Sequence, residues 1–221
     1  VDRSKVFRVS SLLGAETVIS FLIASFLIGI APGPDNLFVL TQSVLHGRAA
    51  GLWVTLGLCT GLLVHTAAVV LGVAAIVQAS PLAFSILKFA GAGYLVYLAW
   101  NAFVSQPREL AEDDSGNSME ALKLYRRGII MNVTNPKVSM FFLAFLPQFV
   151  DPAKELAALQ TISLGALFML MTLVVFGGVA MMAGHLGRLL KRSPRAQVLM
   201  NRLAGIVFLG LAAKIATSGI G

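Results

Sequence analysis

The stretch "IAPGPDNLFVL" (Ile30–Leu40) lies inside an apolar run of about 17–45 that would otherwise read as one membrane helix. Pro32 and Pro34 lack a backbone N–H, and each pushes the residue before it, Ala31 and Gly33, out of helical geometry. The helix is therefore predicted to stop near Ala31 and to restart near Pro34, a residue suited to the first helical position, with Gly33 or Asp35 as the cap. A break in hydrocarbon leaves carbonyls free on one half-helix and N–H groups free on the next. Irregular backbone survives at that depth only against protein or a water-filled cavity. The free N–H end also favours an anion such as a carboxylate. Two readings stay open here: a substrate site, or a proline kink in which Asp35 serves only as a cap.

Composition makes hydrocarbon the relevant medium. The chain has 221 residues, of which 57% are hydrophobic and 12% charged, with a mean hydropathy of +0.83. Soluble domains are about one quarter charged. The apolar residues fall into six runs, at about 17–45, 51–77, 81–104, 128–150, 157–186 and 198–217. Each has the roughly 20 residues that a helix needs to cross a bilayer. The alternation over about ten residues that marks a membrane β-barrel is missing. The expected fold is an all-α integral membrane protein with six transmembrane helices, interacting with the lipid bilayer and not with nucleic acid. The net charge of +7 fits that reading, because the basic residues gather between the apolar runs. Arg48, then Arg108, Lys123, Arg126 and Arg127, then Arg188, Lys191, Arg192 and Arg195 form the richest loops and are expected in the cytoplasm, with both termini outside. Arg3, Lys5 and Arg8 argue the other way; they resemble a signal n-region, but without a cleavage site leading into a soluble domain, so an uncleaved first span is expected. Cys59 is the sole cysteine, which excludes an intrachain disulfide, and it reads as packing.

Three spans, a polar linker and three more spans suggest a duplication: residues 1–104, a cytoplasmic linker at 105–127, and residues 128–221. "AGAGYLVYLA" (90–99) resembles "AGIVFLGLAA" (204–213), and the first span of each half is interrupted, by "APGPDN" and by "TNPK". Three spans per half force opposite orientations, an inverted repeat of the transporter kind. In the second break Thr134 or Asn135 can cap, and Pro136 suits the first helical position. Gly57 and Gly61 form a G-x-x-x-G, and Gly91, Gly93, Gly177, Gly178 and Gly184 follow in later spans. They serve either close packing within one bundle or a homodimer.

Ionisable groups in a membrane span need a partner or a role. Asp35 stands near a helix start, where the dipole favours it. Lys137 stands in the first turn after Asn135-Pro136, where a cation is disfavoured, so something else must stabilise it: Asp35, a substrate carboxylate, or snorkelling to an interface. A bound amino acid could place its carboxylate at the helix starts and Lys137, and its ammonium toward Asp35, and Asp35 could also exchange a coupling proton. Asn36, Asn132 and Asn135 are polar and deep and are expected around the same cavity. His65 shares a face with Gly57 and Gly61, as either a proton relay or a hydrogen-bonded core residue. His46 is expected in a loop, His185 at an interface near Arg188, and Lys88 near a span start where it can snorkel. This is a poor set of soft-metal ligands, and no metal or other cofactor is expected.

"APGPDNLFVL", the G-x-x-x-G-x-x-x-H of span two and "NVTNPKVSMFFLAFLPQFV" in span four resemble the lysine exporter/homoserine–threonine resistance (LysE/RhtB) superfamily of bacterial amino-acid exporters, over essentially the whole chain. The resemblance implies a secondary transporter of the inner membrane that exports amino acids or close derivatives against proton entry. The P-G-P-D form looks most like the branch linked to homoserine, homoserine lactone, threonine and leucine. Pro32, Gly33, Pro34, Asp35, Asn135, Pro136 and Lys137 are the implicated positions. An intramembrane protease is disfavoured because neither G-x-S-x-G nor H-E-x-x-H is present, and no ATP-binding motif supplies energy. A cation or metal-ion exporter or channel of the same superfamily is the alternative.

Overall fold

The computed structural model describes residues 13–79, 81–106, 120–150, 156–184 and 193–217, and among them all regular structure is helical. The order is α1 (Ala15–Ile30), α2 (Pro34–His46), α3 (Arg48–Ala79), α4 (Pro81–Val104), α5 (Ala121–Val133), α6 (Pro136–Met140), α7 (Ala157–Met181) and α8 (Pro194–Thr217). Between α6 and the loop at 150 the chain makes a π turn at Phe141–Phe145 and a 3-10 turn at Leu146–Phe149.

Three stretches are long and apolar enough to cross a membrane as single helices: Arg48–Gly72, Ala157–Met181 and Gln197–Thr217. Two further spans follow if each bent pair counts as one: α1 with α2, bent by 60°, and α5 with the helical run Pro136–Phe149, bent by 49°. Helix α4 has 24 residues and presents Leu82, Ile86, Phe89, Val96, Tyr97 and Trp100 on its outside. Large apolar side chains cover the outside of α1, α3, α7 and α8 as well, as expected of helices surrounded by lipid. Buried hydroxyls are satisfied locally: Ser25, Ser43, Thr55, Thr66 and Thr161 each donate to the carbonyl four residues back.

Each bent pair packs on the long helix of the other half of the chain. Helix α5 packs on α3, α1 on α7, α3 on α7, and α4 on α8. Lipid tails give helices no hydrophobic reason to associate, so close van der Waals approach must supply the attraction. Small residues provide it at the α3–α5 seam. A methyl group on Gly57 would overlap the Tyr125 carbonyl, and one on Gly128 would overlap the Val54 carbonyl. One on Gly61 would lie 2.8 Å from the Asn132 side chain. The Gly57–Gly61 pair is thus engaged inside the bundle.

The apolar core is aromatic. Phe21, Phe141, Phe142 and Phe145 are fully buried, and Phe168 nearly so. The Phe141 ring centroid lies 4.8 Å from Phe168, 4.9 Å from Phe145 and 6.0 Å from Phe21. The wider π turn carries Phe141, Phe142, Ala144 and Phe145 inward together. Pro147 follows it and has no N–H for the regular ladder.

Three expectations change. Helix α5 begins at Ala121, inside the stretch assigned to the 105–127 linker, because Leu124, Gly128 and Asn132 recur every four residues and bury one face of an otherwise polar helix. His46 is the last residue of α2 rather than a loop residue. Lys88 does not reach outward: it is 3% exposed, with its ammonium 5.3 Å from the Phe89 ring centroid. His185, expected at an interface, lies outside the described residues.

The seam predicts an asymmetric response to added methyls. Gly57→Ala should cost about 1–3 kcal/mol by overpacking, seen as a lower melting temperature in detergent. Gly210→Ala, with nothing within 4 Å of the new methyl, should leave it unchanged. Equal melting temperatures for the two variants would contradict the close α3–α5 approach.

Candidate functional site

The first break falls where the prolines place it. Helix α1 ends at Ile30, and the Ala31 N–H makes its last bond, to Leu27 O at 3.1 Å. Gly33 is extended, and Pro34 opens α2 at its first position. The carbonyls stranded at the end of α1 find donors from outside that helix. Asn36 Nδ2 donates to Gly29 O at 2.7 Å. Lys137 Nζ donates to Ile28 O at 3.2 Å and Ala31 O at 3.0 Å. A helix C-terminus carries partial negative charge, so an ammonium is favoured there. Lys137, disfavoured at the start of its own helix, is therefore stabilised at the end of α1. Gly33 makes the approach possible by its size: a methyl on it would stand 3.0 Å from Lys137 Nζ and 3.5 Å from Cε.

The second break is built on the same plan. Asn135 caps α6 by accepting from the Lys137 N–H at 3.0 Å, and Pro136 follows at the first helical position. Thr134 Oγ1 donates to Ile130 O at 2.8 Å. His65 Nε2, from α3, bonds the Asn132 carbonyl at 3.1 Å, and its ring lies 5.5 Å from that of Phe142. Each break thus receives a donor from another helix, and Lys137 joins the two.

Asp35, Asn132, Asn135 and Lys137 are all buried beside these carbonyls. Lys137, Asn135, Asn132 and His65 are the polar groups around Asp35. Yet Asp35 Oδ1, Asn36 Oδ1, Asn132 Oδ1 and Asn135 Nδ2 are buried without a hydrogen-bond partner. Buried polar atoms are almost always partnered in folded proteins. Three acceptor oxygens and one amide donor beside an ammonium make a set suited to a small molecule that carries both N–H donors and a carboxylate.

The residues singled out from sequence therefore come together, with two differences. Of the two cap candidates, Gly33 rather than Asp35 holds the position, and no side-chain cap bond is made. Lys137 directs its ammonium bonds to backbone carbonyls rather than to the Asp35 carboxylate. Gln42 of α2 was not singled out: it is 3% exposed with Oε1 unpartnered, and it follows Asp35 by seven residues, about two helical turns, a spacing that was a usable signal. Thr66, Gln160, Thr161 and Thr172 are also buried and polar, and no motif marks them. Among the described residues no group of three His, Cys, Asp or Glu side chains could hold a metal ion.

Comparison with known proteins decides the family. The LysE type translocator family matches residues 26–219. The chain belongs to that family. It is 32% identical over 203 residues to the homoserine/homoserine lactone efflux protein of Salmonella typhimurium, covering 90% of this chain and 95% of that one. It is 29% identical over 203 residues to the leucine efflux protein of an Enterobacter species, covering 90% and 94%. A membrane protein of Vibrio cholerae serotype O1 is 30% identical over 200 residues, covering 90% and 96%. No solved structure matches. The family and these efflux relatives are transporters, not enzymes.

Lys137→Met should leave the Ile28 and Ala31 carbonyls without their donor, at a cost of about 1–3 kcal/mol for each buried group. Asn135→Ala removes one cap and should cost about 1 kcal/mol. Thermal unfolding in detergent should therefore rank Lys137→Met well below Asn135→Ala. The reverse order would contradict the bridging role of Lys137.

Proposed function

We propose that this LysE-family transporter exports neutral amino acids or their close derivatives in exchange for protons, by alternating access at the two helix breaks. The observation that carries the reading is the Lys137 ammonium seated on the carbonyl end of α1, beside the buried and incompletely bonded Asp35. The names of the leucine and homoserine/homoserine lactone efflux relatives support an amino-acid substrate. The packing supports two inverted halves of three spans, with α4 as the sixth span: each bent pair lies on the long helix of the other half.

In this mechanism a substrate carboxylate competes with the Ile28 and Ala31 carbonyls for Lys137, and the N–H end of α2 adds a favourable dipole. The substrate ammonium takes the acceptor oxygens of Asp35, Asn36 and Asn132. Drawing Lys137 off α1 loosens the contact between the breaks, so substrate binding and the rocking of the halves are linked through one side chain. A proton on Asp35 replaces the ammonium on the return step. His65 holds the Asn132 carbonyl and with it the shape of the second break. The transporter sits in the bacterial inner membrane with its basic loops in the cytoplasm and both termini outside.

Proteoliposomes loaded with labelled homoserine, threonine, leucine or lysine test this directly. Neutral amino acids should leave faster than lysine, and an imposed proton gradient should accelerate them. Asp35→Asn should lower the gradient-driven rate at least tenfold. Full proton dependence in the variant would remove Asp35 from coupling. No amino-acid movement by a folded wild-type protein would contradict the substrate class and favour ion transport.

A further inference from the structure

A second polar site lies away from the breaks. A cavity of about 350 Å³ opens at the end of the bundle where α1 starts and α8 finishes. Glu16 and Thr17 of α1, Gln148 and Phe149 of the 3-10 turn, and Lys214 near the end of α8 line it. Among the described residues that line it, Glu16 and Lys214 carry the charges, of opposite sign, and both are exposed. Lys214 Nζ is held against one wall, 4.8 Å from the centroid of the Phe149 ring.

The floor of the cavity is aromatic. Phe145 and Phe149 line it and also belong to the ring cluster that continues inward. Phe149 lies 5.0 Å from Phe145 and 5.3 Å from Phe21, and Phe145 lies 4.9 Å from Phe141. Phe141 in turn stacks near Phe142, the neighbour of His65. Rings thus stand between this cavity and the polar groups at the breaks.

We infer that this cavity is a vestibular binding site for zwitterionic amino acids, in which Lys214 takes the α-carboxylate and Glu16 the α-ammonium. The inference rests on the transport reading above and extends it to a second site on the path. A cavity of this size holds a small amino acid and falls within the usual range of ligand sites. One positive and one negative side chain match a zwitterion, while Thr17 offers a further polar contact. Both charges are exposed and screened by water, so the site is weak, as a staging position for release or capture must be. The phenylalanine floor holds the molecule there until the rings part.

A lactone separates the two roles, because it keeps the ammonium and lacks the free carboxylate. Efflux from phosphatidylcholine proteoliposomes is followed against concentration for homoserine and for homoserine lactone. Lys214→Met should raise the half-saturating concentration of homoserine relative to the lactone at least threefold. Lys214→Arg should restore the wild-type ratio. Glu16→Gln should weaken both compounds together and leave the ratio unchanged. An unchanged ratio in Lys214→Met, with wild-type transport intact, overturns the vestibular site alone. Wild-type vesicles that move neither compound overturn the transport reading and this inference with it. The same lipid mixture with added phosphatidylethanolamine, another ammonium-bearing zwitterion, is the second arm. A ratio that shifts only in its presence assigns the pair to a lipid headgroup and overturns the amino-acid site.

Discussion

A carbonyl freed in hydrocarbon must find a donor, and the rest of this structure depends on how that demand is met at Ile28 and Ala31. No water from the bilayer core can serve them. Lys137 does, across 109 and 106 residues of sequence. The same contact answers the opposite problem, a buried ammonium that would otherwise be isolated. Two liabilities, one in each half of the chain, cancel only when the two breaks lie side by side. The packing follows from that pairing: Lys137 ties the two bent helix pairs together, and the long helices α3 and α7 pack on each other and against them.

Around this polar centre the packing is of two kinds. On the α3–α5 seam the backbones touch through Gly57 and Gly128, and Gly61 leaves room for the Asn132 side chain, which fixes the position of Asn132 and hence of the second break. Toward the end that carries Glu16 and Lys214 the packing is by large rings, from Phe142 through Phe141 and Phe145 to Phe149. Aromatic pairs of this kind contribute about 0.5–1.5 kcal/mol each. They meet ring to ring, where the α3–α5 seam brings backbone against backbone.

The sequence makes the local half of this account legible. Proline chemistry is local, so the stop of α1 at Ile30, the restart at Pro34 and the Asn135-Pro136 start of α6 follow from neighbouring residues alone. Asp35 and Lys137 stand out because charge is costly inside an apolar run. What sequence does not carry is the direction of a long side chain. Nothing near Lys137 indicates that its ammonium crosses to the carbonyls of α1, nor does anything near Lys88 indicate that it turns inward. The helical start at Ala121 was hidden for another reason: charge density in the linker masked a four-residue burial period at Leu124, Gly128 and Asn132. The Glu16–Lys214 cavity could not be read at all, because it joins two charges at opposite ends of the chain.

The central claim is that the paired breaks are the place where substrate binds. Equilibrium binding of labelled homoserine and leucine to the purified protein in detergent measures this without requiring turnover. The comparison is wild type against Lys137→Arg, which keeps the charge but replaces a compact ammonium with a wide guanidinium beside Gly33. Saturable binding by the wild type, weakened at least tenfold in a variant that remains folded by gel filtration, is the predicted result. Undiminished binding by a folded Lys137→Arg protein would place the substrate elsewhere and leave the breaks as structural bends.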